Sequence, residues 1–332
     1  MRNPVESEAS LAVAGRGVTV LGAAAGTGKS GVSIGISRTL DDRGIRCVPF
    51  KAVAVVAPND PAYPAVPPWQ RGILHNCGAA RTQVRWWNNP VVVNLPAIGA
   101  HSGDLYVRGR RIGEVPVAGE DSLDLGALPE RLRQLCVEAA HEGFARASAD
   151  GGWLVVEGAA GVGELAPSVD LANQILPEHA GLPTLLVTNP QRSGHLAALA
   201  GSVRLLSSGL RAQVCGYVLN QVRRPEAASA IGERLSAATG LPLLGVIGES
   251  PLPVDYNGSA EMLESLYRRR ANFVAASGLI ERLSGGVATS EEVVSRGGGA
   301  DPDQLTHRGG IGRSGSSVQR PHEGDLSTRP RR

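Results

Sequence analysis

The sequence predicts an α/β fold, a doubly wound and mostly parallel sheet, on three observations. Short apolar runs of strand length alternate with longer stretches of helical period along most of the chain, the order that lays parallel strands side by side with helices on both faces. The runs are near-continuous in Val, Leu and Ile, as strands covered on both faces require. The first run opens into a loop of small residues and then a helical pattern, which puts a ligand site at the C-terminal edge of the strands.

In chain order, strands are expected near 17–21, 46–50, 152–156, 183–188, 213–219 and 242–247, with helices near 29–43, 121–148, 168–179, 194–207, 226–238 and 260–283. Together they make one expected domain over 16–284. The insert 52–117 is less regular and rich in Pro and Trp, and substrate recognition is expected there. Residues 285–332 are rich in Gly, Ser and Arg with few large apolar side chains. Such a tail cannot bury enough surface to offset its ordering entropy and is expected to be disordered, as are residues 1–15.

The chain has 33 Lys plus Arg but only two lysines, Lys29 and Lys51. A compact ammonium on a flexible stem can follow a moving phosphoryl group in a way a planar guanidinium cannot. Lys29 lies in Gly22-Ala-Ala-Ala-Gly26-Thr27-Gly28-Lys29-Ser30, after the strand-like Gly17-Val-Thr-Val-Leu and before a helical pattern. That is the strand, loop, helix order of a P-loop. Backbone N–H groups from Gly22 to Gly28 would cradle a triphosphate, Lys29 would reach its β and γ phosphates, and the Ser30 hydroxyl would ligate Mg²⁺. The second lysine ends Arg46-Cys-Val-Pro-Phe50-Lys51, a short strand after the first helix.

Five residues separate Gly22 from Gly28, one more than the common P-loop spacing. That spacing, with the strand ending Pro49-Phe50-Lys51, resembles the dethiobiotin synthetase and cobyric acid synthase group of P-loop NTPases. Asn89-Pro90-Val-Val-Val, followed by a hairpin with a glycine turn over Ser102–Gly113, resembles the cobyric acid synthase side, including cobyrinic acid diamide synthases. So do Trp153-Leu-Val-Val-Glu157-Gly158, Glu164 and Asp170-Leu-Ala-Asn173. The resemblance covers about residues 17–270, a span of domain size.

The resemblance implies ATP and Mg²⁺ as cofactors. Lys29 and Lys51 would be catalytic, Ser30 and Glu157 would hold the metal, and Asn220 with Pro251 would bind the adenine end. It implies ATP-dependent activation of a carboxylate as an acyl phosphate, then amide formation with a nitrogen nucleophile. Its rivals are carboxylation and cyclisation of the dethiobiotin synthetase kind, a non-catalytic nucleotide-binding partner, and a partitioning-type switch ATPase. The last would carry an early P-loop lysine where this chain has Ala24.

Two departures accompany the resemblance. The glutaminase domain that releases ammonia in cobyric acid synthases has no counterpart after Ser284, so free ammonia, an amine substrate or a separate glutaminase subunit is expected. The acidic residue expected early in the insert is replaced by Pro68-Trp69-Gln70-Arg71; Asp60 could stand in, though Asn59-Asp60-Pro61 also reads as an ordinary turn.

Bulk properties agree with an enzyme acting on a small-molecule carboxylate or amine, expected to be cytoplasmic and a homodimer. A net charge of +2 gives no electrostatic case for nucleic acid or an anionic membrane. No apolar run approaches the roughly 18 residues of a membrane span. The four cysteines, Cys47, Cys77, Cys136 and Cys215, are scattered; reduced thiols and no zinc are expected. A catalytic pairing of Cys77 with His75 is the lesser reading beside a structural cysteine.

Overall fold

The computed structural model describes residues 17–58, 66–117, 122–249 and 257–285. Pro251, the Asn59-Asp60-Pro61 segment, and the expected disordered termini up to residue 15 and from 286 lie outside the described residues.

The strands are β1 (Gly17–Gly22), β2 (Cys47–Phe50), β3 (Val53–Val56), β4 (Val91–Asn94), β5 (Ser102–Val107), β6 (Arg110–Pro116), β7 (Trp153–Glu157), β8 (Thr184–Thr188), β9 (Val214–Val222) and β10 (Leu243–Gly248). The helices that position the site are α1 (Lys29–Asp42), α2 (Leu74–Ala79), α3 (Glu130–Ala149), α4 (His195–Leu205), α5 (Ser208–Ala212), α6 (Ala228–Thr239), α7 (Ala260–Ala276) and α8 (Leu279–Gly285).

Six strands form one sheet in the order β10-β9-β8-β1-β7-β2, and every pairing in it is parallel. Side chains alternate across it as the pleat dictates. Val18 and Val20 of β1 pack with Val32, Ile36 and Leu40 of α1 and with Val274 and Ile280 of α7 and α8. Leu21 points the other way, to a cluster with Leu199, Leu210 and Leu235 of α4, α5 and α6. Helices therefore cover both faces, which is why the central strands are mostly apolar.

The insert is more regular than expected. It carries a second, four-stranded sheet, β3-β4-β5-β6, with β3 parallel to β4 and the other pairs antiparallel. The expected hairpin is β5–β6, closed by Arg108 and Gly109 at φ 51° and 76°, positive values at both positions as a tight two-residue hairpin turn demands. Its strands are short, four to seven residues, which hid them among the Pro and Trp residues.

Three helix expectations are corrected, each by a local breaker. The helix expected over 121–148 begins at Glu130, because Pro129 stands at its cap and a short 3-10 turn, Leu125–Ala127, precedes it. The one expected over 168–179 is a 3-10 turn, a π turn and a short α-helix, Leu176–Ala180. Pro177, with no N–H to donate, interrupts the ladder there. The helix expected over 194–207 is α4, His195–Leu205, and α5 follows it as a separate short helix, capped where Ser207 accepts from the Leu210 N–H. The stretch 260–283 divides at Gly278, φ 64°.

Candidate functional site

The sheet order places the two lysines. Strand β7 lies between β1 and β2, so Glu157, the last residue of β7, comes between the loop that follows β1 and the lysine that follows β2. Glu157 is 1% exposed. Its Oε1 accepts from the Ser30 hydroxyl at 2.6 Å and from Lys51 Nζ at 2.9 Å. Its Oε2 accepts from Asn76 Nδ2 at 2.9 Å. Burial pushes this carboxyl up, but Lys51 and Lys29, with the hydrogen bonds from Ser30 and Lys51, outweigh it and hold the group below the usual carboxylate range.

Lys29 is the first residue of α1, and its Nζ donates to the Ala160 carbonyl at 2.8 Å. That carbonyl belongs to the loop after β7, which is propped from below. Asn173 Nδ2 donates to the Ala159 carbonyl at 2.7 Å, and Asp170 accepts from the Asn173 N–H at 2.9 Å. Burial raises the Asp170 carboxyl. Asp170 and Asn173 thus shape the loop, while Glu164 is exposed.

Lys51 is held through its backbone. Its N–H donates to the Asn88 carbonyl at 2.8 Å and its carbonyl accepts from Asn89 Nδ2 at 2.7 Å. Asn88 Nδ2 donates to the Pro49 carbonyl at 2.8 Å. The Asn88-Asn89-Pro90 segment therefore works as a clamp on the end of β2.

The phosphate loop has the backbone its sequence calls for. Gly26 and Gly28 have φ 67° and 82°, conformations that favour glycine. Gly28 precedes α1 with no side-chain cap, which leaves the first N–H groups of the helix available to an anion. A Cβ on Gly28 would come within 2.3 Å of Asn220 Nδ2. Asn220 donates to the Thr27 and Gly28 carbonyls at 2.9 and 3.2 Å, so its donor side braces the loop instead of standing open.

The residues fit a nucleotide with Mg²⁺. Thr27 Oγ1 and Asn220 Oδ1 are buried without a hydrogen-bond partner, polar atoms of the kind a ligand satisfies. A cleft of about 300 Å³ opens beside them, between Ala24 and Thr27 on one side and Asn189, Arg192 and His195 on the other. Ser30 Oγ and Glu157 Oε1 converge as hard oxygen donors. Among the described residues, no group of three or more His, Cys, Asp or Glu could hold a metal ion. A hydroxyl and a carboxylate oxygen side by side suit a cation that takes its other ligands from phosphate and water, as Mg²⁺ does.

A family model described as an AAA domain matches residues 131–253, a span that holds Glu157 and Asn220 but starts after the phosphate loop. A probable cobyric acid synthase of Halobacterium salinarum is 34% identical over 243 residues, covering 70% of this chain and 46% of its own length. The chain is a cobyric acid synthase homologue over that span. The cobyric acid synthase of Frankia casuarinae is 33% identical, covering 70% of this chain and 42% of its own. A probable cobyric acid synthase of Methanoregula boonei is 30% identical, covering 75% and 50%. The homologue spans about half the length of these curated relatives. Among solved structures, the MinC:MinD cell division protein complex of Aquifex aeolicus aligns with a TM-score of 0.42 at 12% identity, over 81% of this chain and 95% of that one. That likeness is too weak to add to the sheet order.

Of the residues expected from sequence, Lys29, Ser30, Lys51 and Glu157 come together, and Thr27, Gly28 and Asn220 meet beside them. Arg71 donates to Asn94 Oδ1 at 3.2 Å. A catalytic Cys77 does not fit. The residue is fully buried, burial pushes its thiol up to about 12, and His75 turns to the Tyr267 hydroxyl at 3.1 Å. Asn76, Asn189 and Arg192 were missed, because a single polar residue in a loop or short helix carries no periodic signal.

Proposed function

We propose that this homologue is an ATP-dependent ligase that activates a substrate carboxylate as an acyl phosphate for attack by a nitrogen nucleophile. The observation that carries the reading is the convergence of Ser30, Lys51 and Asn76 on Glu157, with Lys29 on the neighbouring Ala160 carbonyl.

In this reading the backbone of Gly22–Gly28 and the N-terminus of α1 bind the phosphates. Lys29 and Lys51 offset charge on the transferring phosphoryl group, and Ser30 and Glu157 hold the metal. Mg²⁺, when bound, supplies charge neutralisation at the phosphate oxygens. The protein's work is positioning and electrostatics, as phosphoryl transfer generally requires. The similarity to cobyric acid synthases supports amide formation as the second half-reaction, and the insert beyond Lys51 is the substrate side.

The test is ADP release from ATP and Mg²⁺ with a panel of carboxylates, each with ammonia or with bicarbonate. Stimulation by ammonia and a carboxylate, abolished in Lys29→Ala, supports the ligase. Stimulation by bicarbonate and a diamine moves the reading to dethiobiotin synthetase-like chemistry. A fully active Lys29→Ala protein ends both.

A further inference from the structure

The carboxylate of Glu157 is held from both sides, and the second hold comes from the insert. Asn76, 3% exposed, donates Nδ2 to Oε2 at 2.9 Å, while Ser30 and Lys51 share Oε1. Three donors on two oxygens fix the plane of the carboxylate. Without Asn76, Oε2 would be buried with no donor among the described residues, a costly state, and the carboxylate could turn about its last torsion.

The element that carries Asn76 is itself packed against its neighbours. Helix α2 packs along α1, its Cys77 N–H donates to the Ile73 carbonyl at 3.0 Å, and His75 meets Tyr267 of α7. Gly78 lies so close to Tyr267 that a Cβ would come within 2.8 Å of its hydroxyl.

We propose that Asn76 is a positioning residue that holds Glu157 with Oε1 turned toward Ser30, where the metal is to be bound, and that it ties the substrate-side insert to the nucleotide site. The inference rests on the nucleotide-binding reading given above. Groups that orient a metal ligand from behind are worth roughly 10–100-fold in metal affinity.

The experiment is calorimetric titration of ATP into the full chain, once with Mg²⁺ and once with EDTA, for wild type, Asn76→Leu, Glu157→Gln and the double variant. Thermal midpoints establish that each is folded, and Asn76→Ser replaces the Leu variant if that one is not. Wild type is expected to bind more tightly with Mg²⁺. Asn76→Leu should keep its affinity in EDTA within about 2-fold and lose about 10-fold or more of the Mg²⁺ increment. In the Glu157→Gln background it should change nothing further, since coupled residues are not additive. An unchanged Mg²⁺ increment in the Asn76 variant, or an equal loss with and without Glu157, overturns the inference alone. A wild type whose ATP affinity is indifferent to Mg²⁺ overturns the metal-dependent function and this inference with it.

Discussion

Lys51 and Glu157 form a buried ion pair, Nζ to Oε1 at 2.9 Å, with side chains 14% and 1% exposed. A carboxylate taken out of water needs that partner, because truncating one member of a buried pair leaves an uncompensated charge at a cost of about 3–5 kcal/mol. Lys29 also acts on Glu157, which moves the expectation to the low end. Lys51→Met should lose about 3 kcal/mol in urea unfolding as well as turnover. A stability change under about 1 kcal/mol, the range of exposed pairs, would mean that the pair does not form.

Gly28→Ala should disable the loop. At φ 82° an alanine is strained, and its Cβ would lie 2.3 Å from Asn220 Nδ2. Strain of this kind costs about 1–3 kcal/mol, and moving Asn220 would release the Thr27 and Gly28 carbonyls. Calorimetry with ATP should show at least a tenfold weaker affinity, about 1.4 kcal/mol, with a lowered thermal midpoint. Wild-type affinity would mean that the loop tolerates a second conformation.

Arg38 and Glu264 predict the acid limb of stability. Arg38, 2% exposed on α1, donates to both Glu264 oxygens at 2.7 and 2.5 Å and thereby ties α1 to α7. The Arg38 hydrogen bond is the main reason the Glu264 carboxyl is held down to about 2, against burial, with help from Arg268. A depressed carboxyl stabilises the fold above its unfolded range, and that contribution is lost as pH falls from about 4 through about 2. Glu264 is partly exposed to solvent, so its worth is about 1 kcal/mol. Glu264→Gln should be less stable than wild type by that amount at pH 7, and the difference should close by about pH 2 in urea melts. A gap that persists at low pH would assign the effect to packing.

Cys77 should be silent. Its thiol is fully buried and pushed up to about 12, so it is neither exposed nor a thiolate at neutral pH. Native protein should leave it unmodified by a thiol reagent until unfolded, and Cys77→Ala should keep ADP release within about twofold. Loss of turnover in a folded Cys77→Ala protein would restore the catalytic reading.

Much of the main sheet was legible because its strands announce themselves. Gly17–Leu21, Trp153–Val156 and Thr184–Thr188 are apolar but for their threonines, and all three are buried strands. The helix ends were less legible, since Pro129, Pro177 and Gly278 break periods that an amphipathic pattern carries straight through. The second sheet was legible only at its hairpin, where Arg108-Gly109 marks a turn. Asn76 could not be found because its meaning is a contact with a residue 81 positions away.

Sequence alone determined the kind of site: a small-residue loop between strand and helix, two lysines where arginine serves elsewhere, and an acidic strand end. These are local properties, set by which residues can adopt a left-handed backbone or present an ammonium. Only the tertiary structure decided that β7 lies between β1 and β2, which brings Glu157 to Ser30 and Lys51 and lets α2 reach it with Asn76. Strand order is a global compromise of crossover and packing, and no single stretch of chain encodes it.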